Sequence, residues 1–584
     1  MTRSFFFTLL LLSGICYGEI IPESRRTQWK PGVPGGIPEV TGPVEDVVDH
    51  GADPAGDSDS REAFISAVDA LSETGGVISI PEGTYLITST ITVSNNNIIF
   101  RGKGVDKTKL LHDHTGLCFE VITYQRGEWQ GVSDYQKGSR NVTVDDGGAF
   151  TVGEYAEIKQ DNDPELMYTE SNWNQTWAEG AAGQVFEVTE INGNQLTFRN
   201  PLHYEVRSDL NPQIRPQGLV TGVGFENFYI ERLQTGNSTF QFKNAAYCWI
   251  RNIESYHTRK SHVTNNTTLG CEYRDSYFHH SFSYGGGGSG YGVEFGYHST
   301  DGLCENNVFD SLRHAMMVHV GAVGCVFGYN YSINPVQGDG ETDLNQGWVP
   351  PDISLHGHWG QMNLFEGNVV QEIGIGDHWG PMGPGNTFLR NVVEGEGIYL
   401  YDHSHFQNLV GNISTTWNDD GTSDHTIRHG ENIDGSEVWD QSISDRNIPA
   451  SYYLESRPDF FDTTTWPFLG TEGNASRENP AQLRYESGFL VHASQPAERS
   501  IKNTRSDLRI SKGVVTVSFH TPSPGPVQIS LTDLRGRSMI SPVDRHFPAG
   551  EHSLSFKIGH LAPGMYVYSI YTGTASRIQT FVLK

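Results

Sequence analysis

Three aspartates at equal spacing are the strongest candidates for chemistry in this chain. Asp352, Asp377 and Asp402 follow one another at intervals of 25 residues, and a histidine stands directly after two of them, at His378 and His403. Two carboxyl groups about 5 Å apart share protons unequally, so that one stays protonated while the other ionises. Hydrolysis of a glycosidic bond requires that division. We therefore expect the three aspartates to act as acid and base, and the two histidines to orient them.

A second candidate pair lies in the stretch FDSLRHAMMVH, where Asp310 and His314 are predicted to face one groove. The alternative for all these residues is structural, because aspartates and other short polar side chains at turns often satisfy backbone groups. A spacing of 25 residues also differs from the repeat described below.

The sequence His-Trp-Gly occurs twice, at 358–360 and 378–380. A sugar ring stacks on an aromatic face while neighbouring polar groups bind its hydroxyls. The predicted sugar-binding residues are therefore Trp359, Trp379, Tyr399, Tyr401, His356 and His358. Core packing is the alternative for the aromatic rings. Because 20 residues is shorter than the repeat, we expect the two copies to form a cleft wall without stacking in register.

Charge narrows the substrate. The net charge of −29 excludes a basic surface for nucleic acid or anionic membranes. Residues 240–410 hold 12 of the 23 histidines, with 17 acidic and only 7 basic residues. Elimination from a polyuronate needs Lys, Arg or calcium to neutralise the substrate carboxylate. The composition thus favours a neutral or calcium-bridged glycan, with no cofactor expected unless a lyase uses Ca²⁺.

Short apolar runs recur between residues 248 and 412 and predict stacked coils. Four of the runs begin with a cysteine, at Cys248, Cys271, Cys304 and Cys325. The first two cysteines are 23 residues apart and the last two are 21 apart. Such a period predicts a parallel β-helix, whose equivalent side chains stack about 4.8 Å apart. We expect a buried cysteine ladder and an asparagine ladder of Asn330, Asn368, Asn391 and Asn412.

Residues 45–110 predict a helix with an apolar face (Ala63, Phe64, Ala67, Val68), followed by strands in GGVISIPEGTYLI and ITVSNNNIIFRG. This stretch resembles the amino-terminal signature of the pectate-lyase superfamily, in the branch of rhamnogalacturonases, polygalacturonases and epimerase-like proteins. The resemblance implies an all-β, pectin-lyase-like, right-handed parallel β-helix capped by a helix. The hydrolase motifs of that branch, such as Asn-Thr-Asp and Arg-Ile-Lys, are not found at suitable places, so its catalytic residues are not transferred.

The two ends of the chain predict export. Residues 1–18 resemble a signal peptide, with Arg3 before an apolar run, and no later stretch reaches the roughly 18 apolar residues of a membrane span. After a linker at 491–506, alternating runs in 507–584 predict a small β-sandwich. The pattern LTDLRGRSM…LAPGMYVYSI…FVLK resembles the sorting domain of type IX secretion cargo. That resemblance implies a Gram-negative source, with the product secreted or at the cell surface.

The predicted organisation is an extension (19–44), a β-helix (45–490) with an insertion or irregular coils at 141–210, and the carboxy-terminal sandwich. We expect a monomer that acts on an extracellular polysaccharide and meets the type IX machinery. Glycoside hydrolysis is preferred over β-elimination by a polysaccharide lyase. A non-catalytic glycan-binding protein or adhesin is the third alternative.

Overall fold

The structure is a computed structural model and describes residues 20–169, 176–337, 350–377, 379–461, 465–469, 479–488 and parts of 506–583. The chain divides into two compact units, with the boundary between Tyr485 and Ala493. The predicted signal peptide and most of the predicted linker lie outside the described residues. No helix in the described ranges is long and apolar enough to cross a membrane.

The first unit opens with the helix α1 (Arg61–Ala70), which buries the predicted face of Ala63, Phe64, Ala67 and Val68. Seven strands surround it: β1 (Val44–Asp46), β2 (Gly76–Ser79), β3 (Gly83–Ile87), β4 (Ile91–Val93), β5 (Ile98–Arg101), β6 (Thr108–His112) and β7 (Phe119–Ile122). These strands pair in parallel, and Phe100 stacks on Phe225 of a later coil at 5.1 Å. The helix thus closes one end of the stacked core.

The segment predicted as an insertion forms a closed antiparallel barrel that is longer than 141–210. Its strands are β8 (Gln130–Ser133), β9 (Asn141–Val144), β10 (Tyr155–Lys159), β11 (Gly183–Asn192), β12 (Gln195–Phe198) and β13 (Gln213–Gln217). The barrel has its own core, in which Phe186 stacks on Phe198 at 4.3 Å. It contacts the β-helix through His298, whose Nδ1 lies 2.7 Å from the Glu157 carboxylate.

The parallel β-helix continues through twenty-four strands. They are β14 (Val220–Thr221), β15 (Gly224–Arg232), β16 (Phe240–Ala246), β17 (Trp249–Thr258), β18 (Ser261–Leu269), β19 (Glu272–Arg274), β20 (Tyr277–Ser281), β21 (Tyr291–Gly296), β22 (Leu303–Glu305), β23 (Val308–Asp310), β24 (His314–Val318), β25 (Val326–Gly328), β26 (Tyr331–Ile333), β27 (Ile353–Leu355), β28 (Leu364–Glu366), β29 (Val369–Ile375), β30 (Thr387–Leu389), β31 (Val392–Leu400), β32 (Asn408–Val410), β33 (Ile413–Ser414), β34 (Trp417–Asp419), β35 (Ile427–His429), β36 (Glu431–Ile433) and β37 (Ser436–Val438). The fold class expected from the sequence is confirmed.

Both predicted ladders are present inside the coils. All five described cysteines are buried and free, which confirms a packing role without disulfides. In the asparagine ladder, Oδ1 of Asn368 accepts hydrogen bonds from the backbone N and Nδ2 of Asn330, both at 3.0 Å. Asn368 in turn donates to Oδ1 of Asn391. Each turn of the helix is thereby locked to the next.

The helix α2 (Pro480–Ser487) ends the described part of the first unit. The second unit contains β38 (Ser506–Ser511), β39 (Val514–Thr521), β40 (Gly525–Asp533), β41 (Val543–Phe547), β42 (Gly550–Lys557), β43 (Gly564–Tyr571) and β44 (Ser576–Leu583). These strands form one antiparallel sheet of three and one of four, around a core that includes Val517, Phe519, Ile529 and Leu531. This arrangement is the small two-sheet domain predicted from the alternating runs.

Candidate functional site

One face of the β-helix carries the site. It consists of β21, β24, β27, β29 and β31, which pair in parallel so that Val293, Met316, Ile353, Ile373 and Ile398 fall in register. These five side chains are fully buried in the core. Because successive side chains of a strand point to opposite faces, their sequence neighbours point outward.

A cavity of about 1040 Å³ lies over this outer face. Its lining includes Tyr291, Glu294, Arg313, His314, His319, His356, Glu372, Asp377, Trp379, Tyr401 and Asp402. The glycine-rich loop at 286–288, Lys260 and Trp177 of the barrel segment complete the walls. A rigid sheet thus forms the floor, and loops from neighbouring coils form the sides.

His314 is held in one tautomer. Its Nδ1 lies 2.8 Å from the backbone carbonyl of Pro351. A carbonyl only accepts hydrogen bonds, so Nδ1 carries the proton and Nε2 keeps the lone pair. Burial lowers the pKa of His314 to about 3, and the nearby His356 lowers it further. The side chain is therefore a neutral proton acceptor at the cavity.

His356 has the opposite charge state. Its Nδ1 pairs with Oδ2 of Asp377, whose Oδ1 accepts a hydrogen bond from the backbone N of Trp379 at 2.9 Å. Burial lowers the pKa of His356, but the Asp377 carboxylate outweighs burial and the net pKa is raised. An imidazole between a carboxylate and a cavity favours its cationic form.

Tyr291 lies between the two histidines. The centroid of its ring is 5.1 Å from that of His314 and 6.5 Å from that of His356. Burial raises the pKa of Tyr291 against the effect of Arg313, and Glu294 and Asp377 reinforce the rise. Tyr291 thus keeps its phenolic proton, with the Arg313 guanidinium near enough to act on it electrostatically.

Glu372 stands further along β29, with an aspartate beneath it. Burial raises the pKa of Glu372 to about 8, and the neighbouring Asp352 and Glu396 raise it further. Asp352 accepts hydrogen bonds from the backbone N of Gln371 at 2.8 Å and of Glu372 at 3.0 Å. Asp352 is thereby a buried support of the strand, while Glu372 faces the cavity.

Six of the residues predicted from sequence line the cavity: His314, His356, Asp377, Trp379, Tyr401 and Asp402. Asp377 and Asp402 occupy matching positions two residues beyond the paired residues Ile375 and Leu400. The 25-residue spacing therefore does place these two carboxylates on neighbouring coils. His378 lies outside the described residues.

The remaining predicted residues are placed elsewhere. Asp352 does not align with Asp377, because the paired residues Ile353 and Ile373 put it level with Glu372 instead. Asp310 is directed away from His314 and accepts hydrogen bonds from the hydroxyls of Tyr277 at 3.1 Å and Tyr485 at 3.2 Å. His358, Trp359, Tyr399 and His403 are also not among the residues that line the cavity.

The expectation that the two His-Trp-Gly copies do not stack was wrong. Leu355 pairs with Ile375, so the coil between them is 20 residues long and each copy begins three residues after its strand. The two tryptophans nevertheless differ in environment. Trp379 lines the cavity, whereas Trp359 packs against the barrel core.

Sequence reasoning missed Tyr291, Glu294, Arg313, His319 and Glu372. The repeat held a signal for one of them, because adding the 20-residue offset of the His-Trp-Gly copies to Asp352 gives Glu372. Tyr291 and Arg313 had no such signal. Each reaches the cavity through the pairing of Tyr291 with His314 across β21 and β24.

Among the described residues, one set of three side chains has the spacing of a metal site: His112, His114 and Cys118, with ligand atoms within 4.8 Å of one another. The buried Arg232 donates a hydrogen bond to the Cys118 sulfur at 3.0 Å. A buried guanidinium at that distance disfavours a second cation. These residues also stand apart from the cavity lining.

Comparisons with known proteins agree with the fold. A family described as rhamnogalacturonase A/epimerase, pectate lyase-like, matches residues 44–163, which confirms the amino-terminal resemblance over about a fifth of the chain. No curated protein matches the chain.

Similar solved structures include the tailspike protein gp49 of Pseudomonas phage LKA1, with 13% identity, coverage of 92% of this chain and 98% of that one, and a TM-score of 0.41. The A-module of the Azotobacter vinelandii mannuronan C-5 epimerase AlgE6 is 12% identical over 66% of this chain and 98% of its own, with a TM-score of 0.32. The catalytic unit of a GH87 alpha-1,3-glucanase from Streptomyces thermodiastaticus is 14% identical over 70% and 72%, with a TM-score of 0.32. Likeness at this level carries no argument about activity.

Proposed function

We propose that this protein is an extracellular polysaccharide lyase that cleaves a uronate-containing glycan by β-elimination in the cavity. The observation that carries the proposal is His314, whose Nδ1 is bound to the Pro351 carbonyl and whose Nε2 keeps its lone pair beside Tyr291. A fixed proton acceptor next to a protonated phenol is the pair that an elimination needs.

The cationic groups of the cavity suit a sugar carboxylate. Arg313, Lys260 and the His356 imidazolium line the same space. Positive charge at a uronate carboxylate lowers the cost of removing the proton on the adjacent carbon, because it stabilises the developing enolate. The few basic residues of the coil region that sequence composition counted against a lyase include these two, both at the cavity.

The residues then divide the reaction as follows. His314 Nε2 takes the proton from the carbon next to the carboxylate, and that electron pair forms a carbon–carbon double bond. The bond to the glycosidic oxygen breaks, and the Tyr291 hydroxyl gives that oxygen a proton. The bound carboxylate raises the low pKa of His314 towards the working pH, since a nearby negative charge favours the imidazolium. No water molecule is consumed.

Glycoside hydrolysis is the second candidate, and the in-register positions of Asp377 and Asp402 favour it. Coils lie about 4.8 Å apart, which is close to the separation of the two carboxylates in retaining hydrolases. It ranks second because both Asp377 oxygens are already engaged, one by His356 and one by the Trp379 backbone. A carboxylate held on both oxygens is better suited to orienting a histidine than to attacking a sugar.

A panel of acidic and neutral polysaccharides tests the proposal when two products are measured in each reaction. β-Elimination gives ultraviolet absorbance from the unsaturated uronate together with new reducing ends. Reducing ends without that absorbance would assign hydrolysis. Tight binding without either product would assign the protein to the glycan-binding or adhesin class.

We further propose that the chain is exported, with residues 1–18 removed and the carboxy-terminal two-sheet domain acting as the type IX sorting signal. The support is the signal-like sequence and the pattern of the last domain. Deletion of residues 507–584 in a type IX-competent bacterium is expected to retain the protein in the periplasm. Unchanged release would contradict the sorting role.

A further inference from the structure

The Glu372 carboxyl is an unsatisfied group aimed into the cavity. Only 5% of the residue is exposed, yet its side chain lines the cavity. Within the part of the chain that the structure describes, this carboxyl makes no hydrogen bond. The only hydrogen bond of the residue with Asp352 uses its backbone N. A buried polar group without a partner is costly, so such a group facing a cavity indicates a ligand.

The surroundings of Glu372 form a sugar-sized platform. The rings of Tyr399 and Tyr401 stack on each other at 5.8 Å and 18°, and Tyr401 lines the cavity. Glycines at 374 and 376 keep the floor low. A Cβ at Gly374 would lie 2.9 Å from the Pro351 ring, and one at Gly376 would lie 2.6 Å from the Ser404 hydroxyl.

This end of the cavity is separate from the elimination centre. Gly376 follows the β29 residue that pairs with Leu355, and it is therefore level with His356. Glu372 lies four residues before Gly376, which is about 13 Å along an extended strand. The two ends bind different sugar units of one chain.

The two ends also differ in charge. The groups that act on Glu372 are Asp352 beneath it and Glu396 on the next coil, both acidic. The phenols of Tyr399 and Tyr401 are the other titratable groups nearby, and Glu372 raises the pKa of each. An anionic sugar is repelled here, whereas the hydroxyls of an uncharged sugar are not.

We propose that Glu372 is a specificity-determining residue that donates a hydrogen bond from its protonated carboxyl to a hydroxyl of an uncharged sugar, which stacks on Tyr401. This inference rests on the proposed function, because the uncharged sugar is a neighbour of the uronate bound at Arg313 and His356. The substrate is therefore a polysaccharide that contains both acidic and neutral units. Since the pKa of Glu372 is raised to about 8, the donor is present at neutral pH and lost above it.

Binding tests this subsite independently of turnover. Calorimetry on the full chain uses xylohexaose, cellohexaose and mannohexaose as neutral probes and hexagalacturonate as the acidic probe, at pH about 6 and about 9.5. Glu372→Gln keeps a neutral donor of the same shape, and Glu372→Ala removes it. Thermal unfolding checks that each variant is folded.

We expect at least one neutral probe to bind the wild type about tenfold more tightly at the lower pH, as one hydrogen bond predicts. Glu372→Gln is expected to bind that probe at both pH values with the low-pH strength, and Glu372→Ala about tenfold more weakly at both. Wild-type binding of a neutral probe that does not change with pH, or that survives in Glu372→Ala, would overturn the proposal. So would the absence of binding to every neutral probe. These results do not depend on whether an unsaturated product forms, so a failure of the lyase proposal is recognised separately.

Discussion

Asp377 fixes His356 at the edge of the cavity, with Oδ2 on the imidazole Nδ1 and Oδ1 on the backbone N of Trp379. The carboxylate thereby ties the charge of a histidine on one coil to the turn of the next. This contact raises the pKa of His356 against the effect of burial. The first prediction follows from it.

Asp377→Asn should lower the pKa of His356, because the amide removes the negative charge but still accepts the Trp379 hydrogen bond. The imidazolium needed for binding a carboxylate would then be lost at lower pH. We expect the alkaline limb of the kcat/KM profile to move to lower pH. Asp424→Asn is the control, since Asp424 approaches His405 at 3.9 Å but does not line the cavity. An alkaline limb that stays in place would contradict the role of Asp377.

His314→Asn should lower kcat by about 10²–10⁴-fold, the usual contribution of a general base. KM is expected to change little, because the cations that bind the carboxylate remain. His425→Asn, at an exposed position outside the cavity, should have wild-type kinetics. A His314→Asn variant with wild-type kcat would remove His314 from the mechanism.

His314 also predicts acid sensitivity of the fold. Its pKa is about 3 in the folded chain against a model value of 6.5. Between these values the unfolded chain binds a proton and the folded chain does not, so stability falls as pH decreases. The difference amounts to roughly 4 kcal/mol when both limits are passed. His314→Asn should lose less stability than the wild type between these pH values in urea titrations, and an equal loss would contradict burial of a neutral imidazole.

Arg313→Gln should reduce kcat/KM on an acidic polysaccharide by about 10²-fold or more, since an electrostatic stabiliser of the enolate is removed. The exposed Lys109→Gln, outside the cavity, is the control. Equal activity of Arg313→Gln and the wild type would show that other groups neutralise the carboxylate.

Asn368→Ala should destabilise the first unit by about 3 kcal/mol, because it leaves the Asn330 amide and the Phe327 carbonyl without partners inside the core. Asn418→Ala, at an exposed position, should change stability by less than about 0.5 kcal/mol. Similar unfolding midpoints in urea for the two variants would contradict a supporting role for the asparagine ladder.

The fold was predictable because the coils repeat in sequence as they do in space. The cysteine and asparagine ladders follow directly from the spacing of identical residues. The site was only partly predictable, since coil length is not constant: Asp377 and Asp402 are in register at 25 residues, while Asp352 and Glu372 are level at 20. Tyr291 and Arg313 could not be placed, because their positions depend on the length of the glycine-rich loop and on strand pairing. The tautomer of His314 depends on the Pro351 carbonyl, which sequence does not locate.

The most direct test of the account is the product that His314 controls. Wild-type protein and His314→Asn are incubated with a uronate-containing polysaccharide, and ultraviolet absorbance and reducing ends are followed together. The account predicts that the wild type generates both signals at equal rates and that His314→Asn loses both by at least about 10²-fold. Reducing ends without absorbance in the wild type, lost in Asp402→Asn but retained in His314→Asn, would contradict it and assign hydrolysis by the paired aspartates.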